Sequence, residues 1–126
     1  MICSNIDLIN KIINIINKGQ KVLIFTILDS RERVLIKLIE EETKTIKNKS
    51  TKHVESKEIL KKYNNLLEIY EADLLMTDNV LAKEISNLIK SNEYDYLIIK
   101  NFSETFKEIC NKVEKTLKNN ISFLYY

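Results

Sequence analysis

Two short runs of apolar residues most constrain what this chain can fold into. Lys21–Leu28 reads KVLIFTIL, and Asp95–Lys100 reads DYLIIK. Both runs are continuous rather than alternating, and both are rich in β-branched and aromatic residues, which is typical of strands buried on both faces. Strands of this kind belong to parallel sheets with helices packed on either side. The two runs therefore predict an α/β protein in which they are the central strands.

Amphipathic helices are predicted between the strands, from apolar residues that recur at spacings of three and four. The predicted helices are Asn5–Lys18, Arg31–Thr45, Lys57–Asn64, Val80–Ser91 and a last helix that follows Ser103. Ser4, Ser30 and Ser103 are expected to cap the first, second and last helices, and Gly19 to end the first. Ile46–Ser56 is predicted to be a loop. Two further strands are predicted at Asp73–Thr77 and Ile121–Tyr125.

The composition is that of one small domain. The chain has 126 residues, 44% of them apolar, with one glycine and no proline. Because no Pro- or Gly-rich linker divides it, residues 1–126 are expected to form a single domain. Cys3 and Cys110 lack the spacing of a metal site and are expected to be free thiols. The apolar stretch Ile6–Ile16 is interrupted by polar residues and too short to cross a membrane, so a cytoplasmic protein without membrane contact is expected.

The charges do not predict a dedicated nucleic-acid-binding protein. Twenty basic and 18 acidic residues leave a net charge of +2, which gives no electrostatic footprint for nucleic acid. A local basic run, Lys44, Lys47, Lys49 and Lys52, could follow a phosphate backbone, but a solvated segment with neighbouring glutamates is favoured. At most weak, salt-sensitive binding is therefore predicted there. The single histidine, His53, has no neighbouring nucleophile or orienting group and is expected to be solvated.

The order of the elements resembles that of one known family. The first helix is similar to the helix that follows a Walker A loop. The strand that ends in a Phe-Ser-Leu-Glu-Met-Ser type motif, together with the next helix, is matched here by KGQKVLIFTILDSRERVLIKLIEEE. DLLMTDNVLAKEISNLIKSNEYDYLIIKNF resembles the stretch from the third strand to the Walker B strand, and ETFKEICNKVEKTLKNNISFLYY the helix and strand beyond it. The family is the C-terminal, RecA-like domain of DnaB-type replicative helicases. The resemblance covers nearly the whole chain and rests on the order and spacing of five elements.

The resemblance implies a three-layer α/β/α fold with a four-stranded parallel sheet in the order 2-1-3-4. Asp73–Thr77 would form one edge of this sheet and Ile121–Tyr125 the other. In RecA-type cores the Walker A strand lies beside the strand equivalent to Ile121–Tyr125, and nothing in this chain matches that strand or its loop. The chain is therefore interpreted as a truncated and degenerate RecA-like domain that lacks the P-loop strand.

Three departures from the family remove its chemistry. Met1–Asn5 stands where the end of the Walker A loop would be, so neither the backbone cradle nor the lysine for a triphosphate is present. Leu28 matches the position of the catalytic glutamate. Lys100 matches that of the Walker B aspartate, and a lysine inverts the charge needed to hold magnesium. No catalytic, cofactor-binding or metal-binding residue carries over, so no cofactor and no enzymatic activity are expected.

Two functions of different classes are left open. The first is a non-catalytic interaction module, linked to DNA replication by the resemblance, whose partner would be a second copy of the chain, a replicative helicase or its loader. The alternative is a domain that binds a small molecule or nucleotide at the carboxyl ends of its strands. A concave site with convergent polar groups there would favour the alternative, and a filled surface the interaction module. A receiver-like signalling domain is disfavoured because its acidic cluster and phosphoacceptor aspartate are not found.

Asp29, Asp78 and Asp95 lie near the predicted strand ends, and capping or surface roles are expected for them. The candidate interaction surface is the last strand. Its sequence, ISFLYY, is apolar and aromatic and holds neither proline nor charge. An uncovered edge of this kind is a template for another strand. Ile121–Tyr125, with Ile121, Phe123 and Tyr125 as its contact residues, is predicted to be paired across a homodimer or covered by a partner or by the chain's own helices.

Overall fold

The structure is a computed structural model that describes residues 2, 5–26, 29–49, 56–72, 76–91, 93–100, 103–116 and 121–126, without the side chains at 45–49, 56, 57 and 116. The first half holds α1 (Ile6–Asn17), β1 (Val22–Thr26), α2 (Arg31–Lys49), α3 (Ser56–Leu66) and β2 (Leu67–Glu71). The second half holds α4 (Asp78–Ser91), β3 (Tyr96–Lys100), α5 (Glu104–Thr116) and β4 (Ser122–Tyr125).

The four strands form one parallel sheet in the order β2-β1-β3-β4. Ile24 in the middle of β1 lies opposite Ile69 of β2 on one side and Ile98 of β3 on the other. Leu97 of β3 lies opposite Phe123 of β4. The predicted fold class and strand order are confirmed.

Side chains that alternate along β1 divide the core between the two faces of the sheet. Val22 and Ile24 pack with α1, α2 and α3, whereas Leu23 and Phe25 pack with α4 and α5. All four side chains are fully buried. Helices therefore cover both faces, which makes the three layers of an α/β/α domain.

The prediction of a strand at Asp73–Thr77 is wrong. Residues 73–75 lie outside the described residues, Met76 and Thr77 are not in a strand, and β2 is Leu67–Glu71 instead. The chain passes from α3 to β2 without any intervening residue, so no turn signal marks the start of the strand. Tertiary packing fixes the strand, because Leu67 and Ile69 are buried against the helices on one face of the sheet.

Several helix ends differ from the prediction, most clearly the start of α1 and the end of α2. Asn5 caps α1 by accepting a hydrogen bond from the Leu8 amide at 3.0 Å, whereas Ser4 lies outside the described residues. The helix α2 continues through Lys49, so the predicted loop at Ile46–Ser56 is too long, and residues 50–55 are not described. Gly19 follows α1 with a φ of 77°, which confirms its expected role at the end of that helix.

Candidate functional site

The carboxyl end of the sheet is where open α/β proteins bind ligands, and it carries polar side chains here. Glu71, Thr26 and Lys100 lie in one row across β2, β1 and β3. Thr26 is fully buried, and Lys100 is half-buried. Asp29 lies just beyond β1 and is 4% exposed.

The carboxylate of Asp29 is occupied by the chain itself. Its Oδ2 accepts hydrogen bonds from the backbone amide of Ile2 at 3.0 Å and from the hydroxyl of Thr26 at 3.2 Å. Ile2 is fully buried and belongs to the core on the α1 side of the sheet. These bonds stabilise a carboxylate that burial would otherwise penalise. Asp29 therefore anchors the N-terminal segment over the end of β1.

Two of the three other acidic groups near strand ends also bind backbone. Glu71 accepts a hydrogen bond from the amide of Arg31 at the start of α2. Asp95, at the opposite end of the sheet, accepts one from the amide of Lys21 at 2.8 Å. Asp78 lies in the first turn of α4, where a negative charge suits the helix dipole. Asp78 and Asp95 agree with the capping and surface roles expected from the sequence, whereas the buried Asp29 departs from a surface role.

The helicase resemblance matches two positions of this chain to acidic residues of the family, and the structure describes one of them. Leu28 lies outside the described residues. Lys100 ends β3 beside Thr26, so an ammonium group stands there at the sheet's carboxyl end.

The strand β4 forms one edge of the sheet, as predicted. The amides of Ser122 and Tyr126 donate to the carbonyls of Asp95, just before β3, and Ile99, within it, at 3.0 and 2.9 Å. Because a strand alternates, the amides of Phe123 and Tyr125 point away from β3, toward the free side. The Phe123 amide donates to Oε2 of Glu114 on α5 at 3.2 Å. One of the two outward amides is thus covered by the chain's own helix.

The side chains of this edge face inward more than outward. Ile121 and Phe123 are each 9% exposed and pack in the core beneath α5. The Tyr125 hydroxyl donates to Oδ1 of Asn111 at 2.9 Å, and burial raises the pKa of Tyr125 above its ordinary range. A partner strand would therefore meet mostly backbone at this edge.

The predicted basic run is only partly visible in the structure. Lys44 lies 3.5 Å from Glu41 and is exposed, and the side-chain hydrogen bond from Lys37 is the main cause that lowers the pKa of Glu41. Lys47 and Lys49 lie within α2, but their side chains are not described. Lys52 and His53 lie outside the described residues. Nucleic-acid binding by this run stays a prediction.

One buried polar cluster was not predicted from the sequence. Glu42 of α2 is 4% exposed and joins Lys62 and Tyr63 of α3. Its Oε1 lies 2.5 Å from the Lys62 ammonium, and its Oε2 accepts a hydrogen bond from the Tyr63 hydroxyl at 2.7 Å. The ammonium also donates to Oδ1 of Asn17 on α1 at 2.6 Å. The cluster ties three helices together, and no spacing in the sequence marks it.

Together, the fold and these contacts define a helix-covered parallel α/β domain in which Asp29, Glu71 and Asp95 bind backbone at the strand ends. No family model and no curated protein matches the chain. The likeness to the DnaB-type helicase domain therefore rests on the order of its sequence elements alone. Within the described residues, no helix is long and apolar enough to cross a membrane.

Proposed function

We propose that the chain is a non-catalytic RecA-like domain that acts as a protein-interaction module, linked to DNA replication. The observation that supports this most is the use of Asp29 to hold the chain's own Ile2 amide at the end of β1. An enzyme with this architecture keeps such groups for its ligand. The sequence adds Leu28 and Lys100, where the resembled family carries acidic residues.

The outer edge of β4 is the proposed interaction surface. The opposite edge, β2, carries the exposed Glu68 and Glu71, and charges on an edge strand oppose pairing with another chain. The segment Ser122–Tyr125 carries no charge, and the Tyr125 amide points outward. A strand from a second copy, or from a replicative helicase or its loader, would add to the sheet here.

ATP turnover tests the non-catalytic half of the proposal. The purified protein is expected neither to bind nor to hydrolyse ATP in the presence of magnesium. The variant Lys100→Ala is assayed beside the natural chain, because Lys100 matches the position of the Walker B aspartate in the resembled family. Magnesium-dependent hydrolysis above background in the natural chain, abolished by a substitution in it, would overturn the proposal.

A pair of substitutions at Tyr125 tests the interaction edge. Tyr125→Pro removes the outward amide, while the hydrogen bonds that the Ser122 and Tyr126 amides donate to the neighbouring chain segment remain. Tyr125→Ala removes the same ring but keeps the amide. The proline variant is expected to lose self-association in light scattering, or to lose a partner that copurifies from native cytoplasm, and the alanine variant to retain it. The edge is not the interface if both variants associate equally, provided that circular dichroism shows both folded.

Nucleic acid is expected to bind weakly at most. Duplex and single-stranded DNA are titrated at several salt concentrations, since contacts between lysines and phosphates weaken steeply with salt. Nanomolar affinity at physiological salt would contradict this expectation.

A second candidate function is the binding of a small ligand at the carboxyl end of the sheet. The observation that favours it is the half-buried Lys100 beside Thr26, which could hold an anionic group. A ligand that raises the melting temperature of the natural chain but not of Lys100→Met would support this candidate. Such a result would also count against the interaction module as the sole function.

A further inference from the structure

An open groove of about 720 Å³ runs along α4 beside α5. Five polar residues on one side of α4 line it: Asn79, Lys83, Ser86, Asn87 and Lys90. Ala82 of α4 and Val113 of α5 supply its apolar part. The volume lies within the range of sites that bind ligands or peptide segments.

The groove concentrates positive charge. Among the described residues that line it, two are lysines and none carries a carboxylate. Within the described residues, the lysines that form ion pairs are Lys37, Lys44, Lys62 and Lys107. Lys83 and Lys90 are exposed and take no part in those pairs.

The acidic residues of α4 lie away from the middle of the groove. Glu84 is not among the described residues that line the groove, and its charge, after burial, raises the pKa of Tyr70 on β2. Asp78 lies in the first turn, before the first lining residue. An anionic ligand would therefore meet complementary charge along most of the groove.

The shape of the lining favours one kind of ligand. Lys83 and Lys90 are seven residues apart, which is about 10.5 Å along a helix. Three residues of an extended polyproline II segment span about 9 Å and complete one turn, so acidic residues three apart share a face and would meet both lysines. Asn79 and Asn87 offer both a donor and an acceptor, which fits the peptide groups that an extended segment leaves unpaired. Single-stranded nucleic acid is normally held by stacking on aromatic residues, and none of the described lining residues is aromatic.

We propose that the groove between α4 and α5 binds an extended acidic peptide segment of a partner protein. This inference rests on the proposed function of an interaction module and names the chemistry of one partner. It places a second contact surface on the face of the sheet opposite α1, separate from the backbone edge of β4.

The test is the binding of a labelled peptide, measured by fluorescence anisotropy. The probe carries glutamate at every third position and is long enough to span the groove, and its control carries glutamine instead. Binding to the full chain is measured for Lys83→Gln/Lys90→Gln and for Lys11→Gln/Lys61→Gln. The second pair changes the net charge equally, at exposed lysines on α1 and α3. Circular dichroism checks that both variants are folded.

The glutamate peptide is expected to bind more tightly than the glutamine peptide. The groove variant should weaken that binding about tenfold, because each exposed charge pair contributes a few-fold, and the control variant should leave it nearly unchanged. Equal affinity for the two peptides, or equal weakening in the two variants, would overturn the inference. A single-stranded oligonucleotide that binds more tightly through Lys83 and Lys90 would also overturn it. The peptide can fail to bind while the Tyr125 variants still distinguish the β4 edge, so failure here is separable from failure of the proposed function.

Discussion

Among single residues, Glu42 carries the most unusual environment. A buried carboxylate is tolerated only when its charge and its hydrogen-bonding capacity are both satisfied. Lys62 supplies the opposite charge and Tyr63 the second hydrogen bond, so both carboxylate oxygens have a partner. Burial is the main cause that raises the pKa of Tyr63, followed by its hydrogen bond to Glu42.

Tyr63→Phe should therefore destabilise the domain. It removes one hydrogen bond to a charged group, which contributes about 1.5 to 3 kcal/mol, while the packing of the ring is kept. The free energy of unfolding, measured in urea, is expected to fall by that amount. Tyr70→Phe is the control, because among the described residues the Tyr70 hydroxyl has the Met76 sulfur, at 3.9 Å, as its hydrogen-bond partner. A similar loss in both variants would contradict the role assigned to Glu42.

Cys110 links stability to alkaline pH. Burial, and to a lesser extent Asp78, raises the pKa of this fully buried thiol from its ordinary value of 9.0 to about 12. Between these two values the unfolded thiol loses its proton while the folded thiol keeps it. The folded state then binds more protons, so the free energy of unfolding falls as pH rises, by about 1.4 kcal/mol per pH unit from this group. Below the ordinary value the contribution is fully present.

As pH rises above about 9, the free energy of unfolding is expected to fall more steeply in the natural chain than in Cys110→Ala. Urea unfolding at several pH values between about 9 and 11 measures both slopes, and comparing slopes separates titration from the cavity that the alanine leaves. In a Cys3→Ser background, Cys110 should react with thiol reagents only as fast as the domain opens. Parallel slopes, or rapid labelling of the folded protein, would show that the thiol is accessible.

At the scale of elements, the turn between α1 and β1 depends on one glycine. Gly19 adopts a φ of 77°, and no atom lies within 4 Å of the position that a Cβ would take. A side chain at this position would therefore cost free energy because it strains the backbone, not because it collides with neighbouring atoms. Gly19→Ala should lower the free energy of unfolding by about 1 kcal/mol, and Gly19→Asn by less, because asparagine tolerates the left-handed region. Thermal melts of the two variants measure the difference, and an alanine variant as stable as the natural chain would contradict it.

Local signals in the sequence located most elements but not all their ends. Ser30 was predicted to cap α2, and its hydroxyl accepts a hydrogen bond from the Arg33 amide at 3.3 Å. Ser103 caps α5 in the same way through the Phe106 amide at 3.2 Å. These caps were recognisable because they use contacts three residues apart. The strand Leu67–Glu71 was missed because its position depends on pairing with β1, which is more than forty residues away in the sequence.

At the scale of the whole molecule, the sheet joins two cores that helices on opposite faces complete. Ile98 packs in the core with α1, α2 and α3, and its neighbour Leu97 packs in the core with α4 and α5. Both side chains are fully buried. If the chain unfolds as one cooperative domain, a cavity in the core on either face of the sheet lowers the stability of the whole domain.

Leu97→Ala and Ile98→Ala are each expected to lower the free energy of unfolding by about 2 to 5 kcal/mol. Tyrosine fluorescence and far-UV circular dichroism should report the same urea transition in both variants. Two separate transitions, with only one of them shifted in each variant, would mean that the faces unfold independently.

The sequence by itself determined the α/β class, the central strands and the helices that cover them, because continuous apolar runs and spacings of three and four are local patterns. It also supplied the expected strand order, through the resemblance. Only the tertiary structure decided which groups meet. Glu42 reaches Tyr63, Asp29 binds the Ile2 amide, and Glu114 covers the edge amide of Phe123. Each of these contacts joins different segments of the chain, and the packing of helices on the sheet sets their geometry, so no periodicity in the sequence could reveal them.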